Sequence, residues 1–440
     1  MQVLHIGIDD TDSKKGMCTT YLGAIIVEKI KELGANIIDY PKLIRLNPNW
    51  PFKTRGNCAI SVSIVIDNDK ISSVKRVVKG SIKDLAELDD ENTNPGVAFY
   101  KSFNIPNLLK NFSRKVVNDF VTIEEAEKLA SKIDAEIYKF KLGRGVIGAL
   151  AAIGEGLTED YTYELIAYRI PEYRGTIRKL DKPSITKMNE LTYPNTFDNV
   201  DLASKEIRIS PHTPCPILYG IRAENPVSAI NAHNMVRTYE PIERWIIYKT
   251  NQATDAHYID VKINEIKLYD SVRLEGVVSS NPIKITGGHV IFKLKDKTDE
   301  IHCAAFEPTK DFRRIVEKII IRDRIKVYGG VKQKIGLPFT INLEKLEILK
   351  LAPLFEKVNP LCEKCGKRAK SAGKSKGFIC KKCKKKFPED SIILKQKERE
   401  IKVGNYEVPP RARRHLSKPL IRLVNRRTLP QSFECDLLFS

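Results

Sequence analysis

No stretch of this 440-residue sequence approaches the ~18 consecutive apolar residues that cross a bilayer, so a membrane-spanning protein is excluded at this level. The opening residues, Met1 to His5, lack the basic segment and extended apolar core of a secretory signal, and a cytoplasmic protein is expected. A disordered composition is also missing: 42% hydrophobic and 30% charged residues describe a chain that packs cores. So is a disulfide framework. The cysteines number nine, an odd count, and five of them (Cys18, Cys58, Cys215, Cys303, Cys435) are scattered. Reduced thiols and a metal site fit better. Acidic residues run short at one end. Residues 357–440 hold 23 Lys and Arg against 8 Asp and Glu, whereas residues 1–356 hold 52 against 47. Three quarters of the +20 net charge therefore sits in the last fifth of the chain. That localisation points to a nucleic-acid-binding end on a nearly neutral body. The basic segment has no long amphipathic helix, which argues against a membrane surface.

A chain this long exceeds one hydrophobic core and is expected to form several domains. Residues 1–122 mix strand signals (3–8, 36–46, 58–66) with helical ones (21–33, 69–88) and predict an α/β layer domain. Residues 123–252 read as strand 135–141, helix 146–153, strand 161–170, then strand 216–222, helix 226–235, strand 243–250. This is the βαββαβ order of a ferredoxin-like domain, with an insertion over 171–211 too long for a plain loop. In residues 253–352, strands over 271–279, 289–294, 301–306, 324–332 and 339–349, with a helix over 310–319, predict an OB-fold β-barrel. A cysteine module over 353–395 and a basic C-terminal tail over 396–440 complete a multidomain α+β chain.

The most specific local pattern is Cys362-x2-Cys365-x14-Cys380-x2-Cys383, two knuckles that suit tetrahedral Zn²⁺ in a zinc ribbon. Lys367 and Arg368 between them offer phosphate contacts. On the barrel, Lys293, Lys295, Phe306, Lys332 and Lys334 are either nucleic-acid contacts or solvated face residues. The stiffened run Pro409-Pro-Arg-Ala-Arg-Arg-His415 is expected to touch RNA through Arg411, Arg413 and Arg414.

At the other end, Asp9, Asp10 and Asp12 crowd the end of a strand, with Thr11, Ser13, Thr19 and Thr20 around and after them. Adjacent carboxylates repel unless a cation joins them, and hard oxygen ligands suit Mg²⁺ shared with phosphates. Thr19 and Thr20 fall where a helix begins, a position that favours anions. The plainer reading is a capped polar turn. Gly143-x-Gly145-x-x-Gly148 looks like a dinucleotide fingerprint, but the helix is short and Glu164 falls mid-strand, so close packing explains the glycines better. Arg144 between them is a phosphate ligand candidate. Thr54-Arg55-Gly56-Asn57 is either a turn or a phosphate contact. Asp198 and Asp201, in the insertion, either bind a small cation or are surface charges. His212-Thr-Pro-Cys215 lacks a second half and is not read as a metal site.

Taken in order, these motifs resemble the archaeal tRNA(Ile) 2-agmatinylcytidine synthetase (TiaS) family over essentially the whole chain. The resemblance rests on Gly7-Ile-Asp-Asp-Thr-Asp-Ser13, Gly16-Met-Cys-Thr-Thr-Tyr21, Lys53-Thr-Arg-Gly-Asn57 and Leu88-Asp-Asp-Glu-Asn-Thr-Asn-Pro-Gly96. It continues through Gly143 to Gly148, Leu218-Tyr-Gly-Ile-Arg222, Tyr248-Lys-Thr-Asn-Gln-Ala-Thr254, the four cysteines and Pro409 to Arg414. One departure is Cys58, where a small residue is expected after the Asn.

The resemblance implies a kinase-like domain, a ferredoxin-like domain, an OB-fold and a zinc ribbon. It implies an ATP-dependent ligase that joins agmatine to C2 of the wobble cytidine in an isoleucine tRNA with a CAU anticodon, after phosphoryl activation of the C2 oxygen. ATP would be cleaved to AMP and pyrophosphate, with Thr19 phosphorylated. By the same match Asp9, Asp10 and Asp12 would hold Mg²⁺ and ATP. Thr11, Lys14, Thr20, Arg55, Asn57 and Arg144 would bind ATP phosphates, and Asp198 with Asp201 would bind agmatine. The implied cofactors are ATP, Mg²⁺ and Zn²⁺, with no protein partner required. Read without the resemblance, a non-catalytic tRNA-binding protein and a different RNA-directed phosphotransferase stay open.

Overall fold

The computed structural model describes residues 1–54, 56–373, 375–424 and 438. Its first half is organised on one long sheet. The strand order is Glu136–Lys139, Gly96–Lys101, Gln2–Asp9, Cys58–Ile66, Lys42–Arg45, Ile242–Thr250, Thr162–Arg169, Ile217–Ala223, Thr196–Phe197. Neighbours run antiparallel except at the middle. There Lys42–Arg45 lies parallel to Ile242–Thr250, pairing Lys249 with Lys42 and Thr250 with Leu43. That parallel seam joins the N-terminal layer to the ferredoxin-like part, so the two share a sheet.

The strand Gln2–Asp9 is buried from Val3 to Ile8, as expected of a central strand covered on both faces. Helix Val146–Gly154 is buried along its whole length. A helix apolar all round belongs in an interior, and this one lies against the Gln2–Asp9 and Cys58–Ile66 strands. Its approach depends on missing side chains. A Cβ on Gly7 would fall 2.0 Å from the Ala149 carbonyl oxygen, and one on Gly148 2.0 Å from Asp9 Oδ2. The Gly143-x-Gly145-x-x-Gly148 run thus serves close packing, not a dinucleotide.

Two sequence expectations change here. The strand expected at 135–141 forms over Glu136–Lys139, but it pairs with Gly96–Lys101 at the edge of the N-terminal layer instead of opening the ferredoxin-like unit. Helices Asn107–Asn118 and Ile123–Lys132 and the strand Gly96–Lys101 add to the elements read from sequence.

The OB-fold is a closed five-stranded barrel: Ser271–Val278, Arg324–Lys332, Thr340–Lys350, Glu300–Ala305, Val290–Lys295, and back to Ser271–Val278 through Val277↔Lys295 and Val278↔Leu294. Helix Asp311–Val316 lies between the third and fourth strands in sequence. Alternating burial along Ser271–Val278 and Val290–Lys295 follows from their alternating apolar residues.

A two-stranded stalk, Leu354–Val358 with Ile393–Lys397, carries the ribbon and its three short strands. The chain then returns. Gly404–Glu407 adds to the barrel by pairing with Thr340–Lys350, and Ile401 and Val408 enter the barrel core. Residues 399–424 of the basic tail are therefore docked structure, beginning with Arg399 on Asp323; the remainder of the tail, with Cys435, lies outside the described residues apart from Leu438. No helix among the described residues is long and apolar enough to cross a membrane.

Candidate active site

One cavity of about 410 Å³ opens where the N-terminal layer, the ferredoxin-like part and the returning C-terminal segment meet. Asp9, Asp10, Asp12, Thr19, Thr20, Asn57, Arg144 and Asp198 all line it. Residues far apart in sequence thus converge on one space.

Asp9 ends the central strand. Burial pushes its carboxyl well above the usual range, and the neighbouring Asp10 and Asp12 push it further. Asp10 stands at φ +61°, a left-handed conformation that turns the chain out of the strand. Its Oδ2 accepts from Arg144 Nη2 at 2.9 Å and Nε at 3.2 Å. Burial still outweighs that pairing and leaves the Asp10 carboxyl raised. Arg144 also donates to the Asn92 carbonyl at 2.7 Å, which fixes its plane. Such a group of carboxylates is stabilised as anions by a hard cation, so the donor set fits Mg²⁺.

Thr19 is the first residue of helix Thr19–Glu32. Cys18 precedes it in extended conformation, and no side chain caps the helix. Of the plainer sequence reading, a capped polar turn, the turn is present, closed by Ser13 N–H on the Gly16 carbonyl at 3.1 Å, and the side-chain cap is not. The first-turn N–H groups and the positive end of the helix face the cavity through Cys18, Thr19 and Thr20, an arrangement that favours an anionic group. Thr11, buried, donates to Thr19 Oγ1 at 3.0 Å, so the Thr19 hydroxyl is oriented while its own proton stays available. From the other side of the seam, Tyr248 donates to the Thr20 carbonyl at 2.5 Å and anchors the helix start.

The remaining expected residues divide. Lys14 is exposed and does not line the cavity; Arg55 lies outside the described residues. Asp201 is buried, off the cavity lining, with Arg411 Nε 3.4 Å away. Asp198 does line the cavity, but Arg222 (3.4 Å) and Arg413 already flank it. The expected pair of open carboxylates for a dication is thus corrected: Asp201 is committed to a buried ion pair. The tail arginines, expected to touch RNA, also meet carboxylates in this structure. Arg413 bridges Asp198 and Glu407, Arg411 faces Asp201, and Arg414 faces Glu344 at 3.0 Å and donates to Asn49 at 2.7 Å. Burial pushes the Cys58 thiol up to about 12, which makes it an unreactive wall residue.

Other lining residues take places that their sequence patterns did not point to. Glu164 is a buried carboxylate that accepts from Gln252 and faces Arg45 at 3.6 Å. His415 accepts from Arg222 at 2.6 Å through Nδ1, and Arg45 above all, with burial, Arg222 and Lys53, holds its pKa well below the usual value. It is a neutral acceptor. His212 and Cys215 reach the cavity, and the Cys215 sulfur accepts from Arg178 at 3.4 Å, so the pair stays a wall and not a metal site.

In the ribbon the four sulfurs of Cys362, Cys365, Cys380 and Cys383 lie within 4.8 Å of one another, with Cys365 and Cys380 3.6 Å apart. Tetrahedral coordination at about 2.3 Å per bond sets sulfurs roughly 3.8 Å apart, so the set fits Zn²⁺. Gly366 and Lys384, each just after a knuckle and at positive φ, turn backbone N–H groups back on the Cys362 and Cys380 carbonyls. Lys367 and Arg368 are exposed on this module.

One chain thus joins a carboxylate and hydroxyl centre at an uncapped helix start to an OB barrel and a four-cysteine ribbon, the make-up of a multidomain nucleic-acid-directed protein. The comparisons give the family. The TiaS TCKD domain model matches residues 5–142, the TiaS FLD domain 143–257, an OB-fold nucleic acid binding domain 272–349 and the TiaS C-terminal zinc ribbon domain 359–401. The isoleucine-tRNA 2-agmatinylcytidine synthetase TiaS of Pyrococcus horikoshii is 48% identical over 419 residues, 95% of this chain and 97% of that protein. The one from Archaeoglobus fulgidus is 46% identical over 419 residues, with the same coverage. The crystal structure of a TiaS complex with its isoleucine tRNA and ATP matches with TM-score 0.87 and 43% identity, covering 99% of this chain and 100% of that one. A TiaS complex with the same tRNA, AMPCPP and agmatine matches with TM-score 0.85 and 41% identity at the same coverage. The chain belongs to the TiaS family of isoleucine-tRNA 2-agmatinylcytidine synthetases.

Proposed function

We infer that this protein is an ATP-dependent ligase that joins agmatine to C2 of the wobble cytidine of an isoleucine tRNA. The observation that carries the reading is the single cavity that gathers Asp9, Asp10, Asp12, Arg144 and Thr19, in a chain that aligns end to end with family members crystallised with an isoleucine tRNA, ATP or its analogue, and agmatine.

The chemistry follows from the groups present. The cytidine C2 oxygen is a poor leaving group; phosphorylation makes it a good one, and the agmatine amine then attacks C2 and expels phosphate. Thr19 Oγ1, held by Thr11, is the phosphoryl acceptor on the protein. Its place at the helix start puts backbone N–H donors where phosphoryl charge develops. Arg144, held by Asp10, is a phosphate ligand, and Asn57 and Thr20 supply neutral donors. Asp9, Asp10 and Asp12 would hold Mg²⁺, which when bound offsets phosphate charge. Asp198 and Glu164 are the carboxylates that the ferredoxin-like side offers to a cationic amine, with Arg222 and Arg45 as the cations that amine would rival. Cys362, Cys365, Cys380 and Cys383 would hold Zn²⁺, which closes the ribbon that presents Lys367 and Arg368 to the tRNA. A tRNA substrate implies work in the cytoplasm.

Incubation of the protein with ATP, agmatine and unmodified tRNA tests the reading. A mass gain on the tRNA that requires both small molecules is expected. Phosphate transfer that ignores agmatine would mark a different phosphotransferase, and binding with no covalent change would mark a binding protein.

A further inference from the structure

Beside the main cavity lies a smaller one of about 210 Å³. Three distant parts of the chain build it: Arg45, Leu46, Pro48, Lys53 and Asn57 from the N-terminal layer, Lys332 at the end of the barrel strand Arg324–Lys332, and the returning residues 414–416. Among the described residues its charged lining is Arg45, Lys53, Lys332 and Arg414, with no carboxylate. Two of these cations have matches behind them: Arg45 faces Glu164 at 3.6 Å and Arg414 faces Glu344 at 3.0 Å. Lys53 and Lys332 make no ion pair among the described residues. Lys53 donates to the Pro48 carbonyl, and the Lys332 ammonium stands 4.8 Å from the centre of the Tyr269 ring. Two positive charges are therefore in excess.

The surroundings register that excess. Lys53 is lowered to about 8, by desolvation first and then by Arg414 and Lys332. Lys332 is lowered by desolvation and Arg414. The packing accommodates the cations specifically: a Cβ on Gly330 would fall 2.6 Å from the Arg414 guanidinium, and one on Gly56 2.9 Å from that of Arg45. Like charges gathered in a partly enclosed space are costly until an anion joins them. Phosphate oxygens suit such a mixture of ammonium and guanidinium donors.

The smaller cavity shares Arg45, Lys53, Asn57 and His415 with the main one. None of Asp9, Asp10 and Asp12 lines it, so a metal-bound nucleotide phosphate would have no carboxylate partner there. One of its lining cations, Lys332, belongs to the OB barrel, a nucleic-acid module. We propose that this cavity is a phosphate site for a backbone phosphodiester of the RNA substrate, held by Lys53, Lys332 and Arg414 next to the nucleotide that enters the active site. The proposal rests on the tRNA-ligase reading above.

The test is a salt titration of tRNA binding by wild type, Lys332→Gln and Lys332→Arg, with ATP and pyrophosphate binding measured separately without tRNA. One phosphate contact to unpaired RNA contributes about 0.7 to the slope of log affinity against log salt. Lys332→Gln should weaken tRNA binding about 5-fold at low salt and flatten the slope by about 0.7, while Lys332→Arg restores both and ATP and pyrophosphate binding stay unchanged. An unchanged slope in Lys332→Gln overturns the proposal. So does weaker pyrophosphate binding with tRNA binding intact, which would assign the site to a free anion. A wild-type chain that binds no tRNA overturns the ligase reading itself, and is recognised from the wild-type curve alone.

Discussion

Thr19 is set apart from the neighbouring hydroxyls by one contact and by its place at a helix start. Thr11 donates to its oxygen, and the helix behind it carries no side-chain cap. On the reading proposed above, in which Thr19 is the phosphoryl acceptor and makes no RNA contact, Thr19→Ala should lower the modification rate about 10³-fold or more while tRNA affinity holds. Thr19→Ser should retain measurable activity. Mass analysis of the tRNA and of the protein's phosphate content checks both; an unchanged rate in the alanine variant removes Thr19 from the chemistry. Glu344 gives a prediction in pH. It is buried in the barrel, faces Arg414 at 3.0 Å and His257 at 3.7 Å and accepts the Tyr258 hydroxyl at 2.8 Å; despite its burial, Arg414 first, then His257 and Tyr258, hold its carboxyl at about 2 against a usual 4.5. A folded value below the unfolded one means stability that is present above pH 4.5 and lost as pH falls toward 2. At about 1.4 kcal/mol per pH unit the contribution is on the order of 3 kcal/mol. Urea unfolding should show Glu344→Gln less stable than wild type at pH 7, with the gap shrinking steadily below pH 4.5. A gap independent of pH would contradict this assignment.

At the scale of elements, helix Val146–Gly154 is the part that fixes the carboxylate centre from behind. Gly148→Ala would ordinarily favour a helix by about 1 kcal/mol. Here its Cβ would meet Asp9 Oδ2 at 2.0 Å, so either the helix or the carboxylate must move, and overpacking of this kind costs about 1–3 kcal/mol. We expect a change in melting temperature of only a few degrees and a loss of modification rate of about 10²-fold, because a displacement near 1 Å at a reacting centre is costly. A variant with wild-type turnover would show that Asp9 tolerates the shift. The same helix shows what can be read before the fold is known. Its apolar run and its glycines are legible, and so are the barrel strands, because alternation and close packing leave local marks. The partner of the 135–141 strand is not legible: local pattern defines a strand, while pairing with Gly96–Lys101 is a property of the sheet. Helix Ile123–Lys132 has a signal that the sequence reading missed, the capping box of Thr122 and Glu125 at the boundary drawn there. Arg411, Arg413 and Arg414 are visible as cations, but Asp198, Asp201 and Glu344, which they face, lie up to 215 positions away.

Across the whole molecule, the basic C-terminal region divides into a part that holds the body together and a part that projects from it. The returning segment belongs to the first: Arg422, nearly buried, clamps Glu224 and Asp160 (3.0 Å) and donates to the Ala253 carbonyl. The ribbon belongs to the second. It stands on the Leu354–Val358 and Ile393–Lys397 stalk, and neither it nor the stalk lines either cavity. Zinc held by the four cysteines would therefore stabilise a module that, on the proposed reading, meets tRNA without shaping the carboxylate centre. Chelation, or Cys362→Ser with Cys365→Ser, should release one zinc per chain and unfold the ribbon, since such sites contribute folding free energy directly. Loss of Lys367, Arg368 and their neighbours from an ordered surface should weaken tRNA binding about 10-fold to 100-fold at low salt, as the phosphate contacts they make are several. ATP turnover measured without tRNA should change by less than about 2-fold, because no group of the carboxylate centre depends on the metal. Zinc release, tRNA affinity and tRNA-free ATP turnover measured on one preparation decide the matter: a fall in turnover larger than the fall in affinity would place the ribbon in the service of the catalytic layer.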